Sequence, residues 1–170
     1  MGELDDFRRG KDEFFREDPH SPLTAAQRRE FAGLRYYPED PALRLAVQPQ
    51  AFEEPELVEM QTSTGDTARY LRWARIEFAV EGQAAALTVY RDPGSGDMFL
   101  PFQDANAGGE TYGAGRYLEP EELSDGRLLV DFNYAYNPYC AYNEDWSCPI
   151  PLPENRLRVA LRAGEMSFEH

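Results

Sequence analysis

The chain is poor in the residues that most nucleophilic and metal-dependent catalysts need. Histidine occurs twice in 170 residues, at His20 and His170, and cysteine twice, at Cys140 and Cys148. Neither CxxC nor HxxxH spacing occurs, so the sequence predicts no metal site. A cysteine–histidine or Ser–His–Asp nucleophile is equally unsupported. Activation needs an adjacent base, and the histidines fall in a proline-broken loop and at the extreme C-terminus. No GxSxG, P-loop or helix-opening GxGxxG is present. Without such a phosphate cradle a flavin is disfavoured, and the cofactor stays unknown.

Basic charge is also scarce, with 17 Lys and Arg against 31 Asp and Glu and a net charge of −14. The resulting field repels phosphate backbones and anionic headgroups, so neither nucleic acid nor a membrane is an expected partner. No run approaches the ~20 consecutive apolar residues of a membrane helix, and no apolar leader opens the sequence. A cytoplasmic protein is expected. The 42% hydrophobic and 13% aromatic content is that of a folded chain, long enough to bury roughly two-thirds of its unfolded surface. One domain over 1–170 is expected, a helical extension at 1–40 packed on a β body at 41–165.

Leu4, Phe7, Phe14 and Phe15 recur at helical spacing up to about Glu17, with Gly10 as a weak point. Asp18-Pro19-His20-Ser21-Pro22 breaks this helix. Thr24 with Gln27 is a capping box opening a short helix through Phe31, and Gly33 is placed to stop it. After Pro41 the period changes to two. Leu43, Leu45 and Val47 alternate, Leu57 to Gln61 reads as a second strand, and Pro49 and Pro55 confine the intervening residues to a loop. Ala68 to Trp73, a strand through Ile76, Phe78 and Val80, and Ala84 to Tyr90 follow, separated by turn residues. Met98 to Phe102, Glu110 to Leu118, Arg127 to Phe132 and Leu157 to Leu161 complete the set. The pattern predicts a β-rich α+β fold: an antiparallel barrel or two-layer sheet of about eight to nine strands with one or two N-terminal helices. Exposed strand edges leave a homodimer open.

Special-purpose side chains concentrate between Asp131 and Arg156. Six aromatics lie between Phe132 and Trp146, together with Asn133, Asn137, Asn143 and both cysteines. In a strand, Phe132, Tyr134 and Tyr136 would share a face. With Tyr112, Tyr117, Tyr139 and Tyr142 they form an aromatic core with satisfied hydroxyls or wall a pocket that stacks on a planar or sugar-like ligand, the amides of Asn133, Asn137 and Asn143 orienting it. Asp104, Glu110, Asp131 and Glu154 flank apolar runs and are the candidate acid–base groups. Partial burial would raise such a carboxyl, while Arg116 and Arg156 could pair with it and lower it. A structural Asp–Arg or Glu–Arg pair is the simpler account of any one of them. Cys140 and Cys148 are packed thiols, a disulfide worth about 2 to 3 kcal/mol in the chain-entropy model, or reactive groups.

The runs PFQDANAGGETYGAGRYL (Pro101 to Leu118) and DFNYAYNPYCAYNEDWSCPIPLPENRL (Asp131 to Leu157) closely resemble the prokaryotic proteins grouped as domain of unknown function 1684. KDEFF, SPL and the F-x-G-L-x-Y-Y-P stretch upstream extend the likeness from Lys11 to Gly164. It departs at Asn106 and Ala107, where that group carries small hydroxyl residues, and at Ala74, where it carries glycine. The resemblance implies a shared fold and no particular reaction. Three functions follow from the residues themselves. One is a small-molecule pocket, with or without carboxylate acid–base catalysis; the others are a non-catalytic interaction or scaffold domain with a packed aromatic loop, and a redox-responsive loop at Cys140 and Cys148.

Overall fold

In the computed structural model, which describes residues 2–168, helix α1 runs over Glu3–Glu17 and α2 over Ala25–Glu30. Glu3, Asp5 and Asp6 in the first turn of α1 and Arg16 in its last match the helix dipole, and Leu4 and Phe15 are its buried residues. The capping box is present: the Thr24 hydroxyl accepts from the Gln27 amide, and the Gln27 side chain accepts from the Thr24 amide.

The β body consists of two antiparallel sheets. Strands β1 (Arg44–Val47), β7 (Glu121–Glu122) and β8 (Leu128–Asp131) make the smaller, in the order β1-β8-β7. The larger is a meander of β2 (Gln50–Gln61), β3 (Thr67–Val80), β4 (Gln83–Arg91), β5 (Met98–Phe102) and β6 (Arg116–Leu118). Between β3 and β4, Glu81 and Gly82 both take positive φ, the backbone of a two-residue hairpin turn. The main core lies between the sheets. Ile76, Leu87, Val89, Leu100, Phe102 and Leu118 of the larger pack with Leu128 and Val130 of the smaller, and Phe132, Val159 and Leu161 join them.

Several expectations are corrected. The two sheets do not close into a barrel among the described residues: β2 and β6 are the free ends of the larger sheet. At the β6 end, Tyr136 occupies the edge by exchanging two backbone hydrogen bonds with Tyr117 (2.8 and 3.0 Å). Pro55 does not end a strand, because β2 is an edge strand, where a missing N–H is tolerated, and the register slips there between Ala51 and Glu56. The two segments flanking Ala74 form one continuous β3, with a register slip between Arg72 and Ala74. Phe132–Tyr134 is a 3-10 turn rather than strand, since the Asp131 carboxylate caps it by accepting from the Asn133 amide. Residues 110–115 are loop, and only Arg116–Leu118 is strand. Gly115 enters it at φ +101°, and a Cβ there would lie 2.5 Å from the Phe102 carbonyl.

Leu157 to Leu161 is not a strand either. Its backbone bonds to the loop after β5 instead: the Leu157 amide donates to the Gln103 carbonyl, the Ala105 amide to the Val159 carbonyl, and the Leu161 amide to the Asp104 carboxylate. A side chain thus replaces the ladder, and the segment runs on as an extended C-terminal strap.

Candidate functional site

The polar residues singled out by the sequence converge in part, and what they converge on is the chain's own strap at 161–167. Arg116, only 1% exposed, donates from Nη1 to the Ala163 and Glu165 carbonyls and from Nη2 to the Leu161 carbonyl. Asp104 stands 3.6 Å from the same guanidinium. Its two oxygens accept from the Thr111 hydroxyl (2.9 Å) and the Leu161 amide (2.8 Å). Burial pulls the Arg116 guanidinium below its usual range, and Asp104 opposes that shift.

The side chain of Glu165, whose carbonyl Arg116 holds, is also buried, and its carboxylate receives Lys11 of α1, the Tyr142 hydroxyl and the Asn137 amide. The Asn137 side chain in turn donates to the Met166 carbonyl (3.0 Å). Burial drives the Tyr142 phenol far above its usual range, and the Glu165 charge adds to it. On the outer side Glu110, largely exposed, accepts from the Tyr37 hydroxyl (2.8 Å) and the Asn106 amide (3.2 Å), while its carbonyl accepts from the Ser167 amide. Every carboxylate oxygen facing the strap from Asp104 and Glu165 already has a protein donor. The arrangement clamps the C-terminal strap and α1 to the β body.

The remaining candidates lie elsewhere. Asn133 donates to the Asp40 carbonyl and the Asp131 carboxylate and accepts from the Asp40 amide, fastening the Pro41–Leu43 turn. Glu154 sits between Arg72 and the Tyr90 hydroxyl on the outer face of the larger sheet. Asn143 accepts from the Asp145 amide in a turn, and Arg156 is exposed. His20, 89% exposed at its side chain, pairs with Asp18, and His170 lies outside the described residues. Sequence reasoning missed Asn155, Glu165 and Lys11, and placed Tyr142 in a pocket wall rather than on Glu165. Glu165 had one usable mark, a lone carboxylate in the otherwise small and apolar run Ala163-Gly164-Glu165-Met166. Asn155 is completely buried and donates to the Thr88 and Pro101 carbonyls.

Cys140 and Cys148 are buried free thiols in a cluster with Tyr117, bordered by Phe99, Tyr112, Tyr136 and Tyr139. Among the described residues no group of three or more His, Cys, Asp and Glu is placed to hold a metal. Nor is any helix long and apolar enough to cross a membrane.

Grooves open on the surface of the described residues, and two of them are lined by aromatic side chains. One of about 420 Å³ runs between α2 and the end of the strap, lined by Phe31, Leu34, Met166 and Phe168 among others. The second, about 560 Å³, lies between the start of α1 and the smaller sheet. Phe7, Tyr134, Tyr136, Leu118 and Leu129 supply its apolar wall, and Glu3, Glu39, Glu119, Glu121, Asp131 and Arg44 its charges. Phe7 meets Tyr134 edge-on at 5.0 Å. The Tyr136 hydroxyl is held by the Glu119 carboxylate. Burial raises the Tyr134 phenol, Glu3 and Asp131 raise it further, and Arg44 opposes them.

Residues 29–166 match the family described as "Protein of unknown function (DUF1684)". The chain belongs to this family. Among solved structures, an uncharacterized protein of Haloarcula marismortui, determined in solution by NMR, is similar to this chain at 40% identity and a TM-score of 0.73, over 98% of this chain and 94% of that one. No curated protein matches. The DUF1684 match takes in Asp104, Arg116, Glu165 and both cysteines, and begins after α1 and Lys11.

Proposed function

We propose that this protein is a non-catalytic binding domain for a small organic cation, taken up in the groove between α1 and the smaller sheet. The observation that carries the reading is the pairing, in one 560 Å³ groove, of exposed aromatic faces with an excess of carboxylates. Phe7 and Tyr134 line it together with Glu3, Glu39, Glu121 and Asp131, and Arg44 is the one cation among the lining residues. Arg44 lies 4.0 Å from Asp131. An ammonium group is attracted both by the ring faces and by the carboxylates, each aromatic contact contributing about 0.5 to 2 kcal/mol. The net charge of −14 adds long-range attraction for the same class of ligand. Of the residues singled out in the sequence as pocket candidates, Asp131, Tyr134 and Tyr136 line this groove. Asp104, Arg116, Asn133 and Asn137 serve the backbone instead, which argues against carboxylate acid–base catalysis in the interior.

The test is an NMR titration with tetramethylammonium, an arylalkylamine and a neutral isostere of the latter. The amines should shift the Phe7, Leu129 and Tyr134 amides, and Tyr134→Ala should weaken the arylalkylamine at least several-fold. Equal shifts with the neutral isostere, or shifts confined to other surfaces, would refute the assignment.

A further inference from the structure

The two thiols stand apart from that groove, and the chain goes to some length to hold them together. After the Tyr139–Ala141 turn the chain swings outward and returns at Cys148, where it is fastened to the β2–β3 turn. The Ser63 amide donates to the Cys148 carbonyl (3.0 Å), and the Cys148 amide to the Ser63 hydroxyl (3.2 Å). Thr64 and Thr62 both bond the Ser147 hydroxyl at 2.8 Å. At the other end the Cys140 amide points at the Cys148 sulfur, 3.3 Å away. The Tyr112 hydroxyl approaches the Cys140 sulfur to 3.6 Å. Packing alone would not require that one thiol accept from the other's backbone amide or that a phenol be directed at the first.

We propose that Cys140 and Cys148 form an oxidation site for small hydroperoxides, with Cys140 as the attacking sulfur and Cys148 as the resolving one. The Cys140 thiolate attacks the distal peroxide oxygen, the O–O bond breaks, and the leaving alkoxide or hydroxide takes up a proton, so that Cys140 becomes a sulfenic acid. The Cys148 sulfur then attacks the Cys140 sulfur, its proton leaves with the sulfenic hydroxyl as water, and the S–S bond forms. Two thiols are oxidised and one peroxide is reduced to water and an alcohol, or to two waters when it is hydrogen peroxide.

The asymmetry between the sulfurs follows from their neighbours. Cys140 is lowered to about 6, first because the Cys148 thiol donates to it, with the Tyr112 hydroxyl adding to the effect and burial opposing it. Cys148 is raised, chiefly because it is that donor and then because it is buried. These neighbours favour Cys140 as the thiolate, the reactive form, although the Cys148 sulfur also accepts from the Cys140 amide. Cys140 and Cys148 are 7% and 8% exposed as residues, which favours a small oxidant over a protein disulfide.

Native protein treated with stoichiometric hydrogen peroxide should lose both free thiols and two hydrogen atoms of mass, remain monomeric in non-reducing electrophoresis, and recover on addition of dithiothreitol. Cys148→Ser should accumulate a Cys140 adduct with a cyclic 1,3-diketone, Cys140→Ser should form no such adduct, and Tyr112→Phe should slow thiol loss several-fold. The proposal is overturned if the native thiol count is unchanged under peroxide that oxidises the urea-unfolded chain, if Cys148 reacts as fast in Cys140→Ser as in the parent, or if the disulfide formed links two chains.

Discussion

Arg116 and Asp104 face each other at 3.6 Å with side chains almost wholly withdrawn from solvent, and both hold the same backbone. Asp104 binds the Leu161 amide, while Arg116 binds the Leu161 carbonyl and the two further carbonyls along the strap. Removing the cation alone leaves a buried carboxylate without its counter-charge, a change that costs about 3 to 5 kcal/mol. Arg116→Met should accordingly lower the urea midpoint without altering its slope. Asp104→Leu should do likewise, and the double variant should lose much less than the sum of the two. Additive losses would mean that the pair is not coupled.

Asn155 does for β4 and β5 what Arg116 does for the strap. Its side chain donates to the Thr88 and Pro101 carbonyls and accepts from the Thr88 amide, all at 2.8 to 2.9 Å. Asn155→Ala strands buried backbone groups and should cost about 1 to 3 kcal/mol. Hydrogen exchange at the Thr88 amide should accelerate by more than global destabilisation alone accounts for.

Two glycines should respond in opposite directions to alanine. Gly164 has φ +79°, and a Cβ there would sit 2.7 Å from the Ala135 carbonyl and 2.8 Å from that of Phe132. The left-handed backbone alone should cost Gly164→Ala about 1 to 2 kcal/mol, and the displaced carbonyls add to it. Gly10 lies inside α1 with nothing within 4 Å of a built Cβ, so Gly10→Ala should stabilise by about 0.5 to 1 kcal/mol. Thermal melts of the two variants give the comparison.

Acid should weaken the fold partly through Glu154. Burial by itself would raise this carboxyl, but the Arg72 and Tyr90 hydrogen bonds outweigh it and hold it below the usual value. Backbone amides act in the same sense on Asp92 and Asp125. A group depressed in the folded state stabilises above its unfolded value, about 4.3 for glutamate, and that contribution disappears as the pH falls through the folded value. The Tm difference between the parent and Glu154→Gln should therefore be largest near neutrality and shrink below about pH 4. A difference that is constant from pH 7 to pH 3 would exclude Glu154 as a contributor.

Much of the secondary structure was legible because it is written in local periodicity. The alternation through Ile76, Phe78 and Val80 and the Thr24–Gln27 capping box each depend on residues within one element. Pro55 misled for the converse reason: whether a proline can sit in a strand depends on whether that strand is an edge, and strand order is not a local property. The aromatic and asparagine-rich segment was recognisable by composition, but not the destination of its polar groups.

The sequence by itself determined a β-rich chain with N-terminal helices, its strongly acidic surface and its membership of the family. Only the tertiary structure decided that Arg116, Asp104 and Asn155 grip backbone rather than ligand. Their partners are amides and carbonyls 45 to 67 residues away, and every residue carries those groups alike. A side chain that binds a carbonyl leaves no complementary residue type for the sequence to display, so its role becomes visible only when the strands have brought the two together.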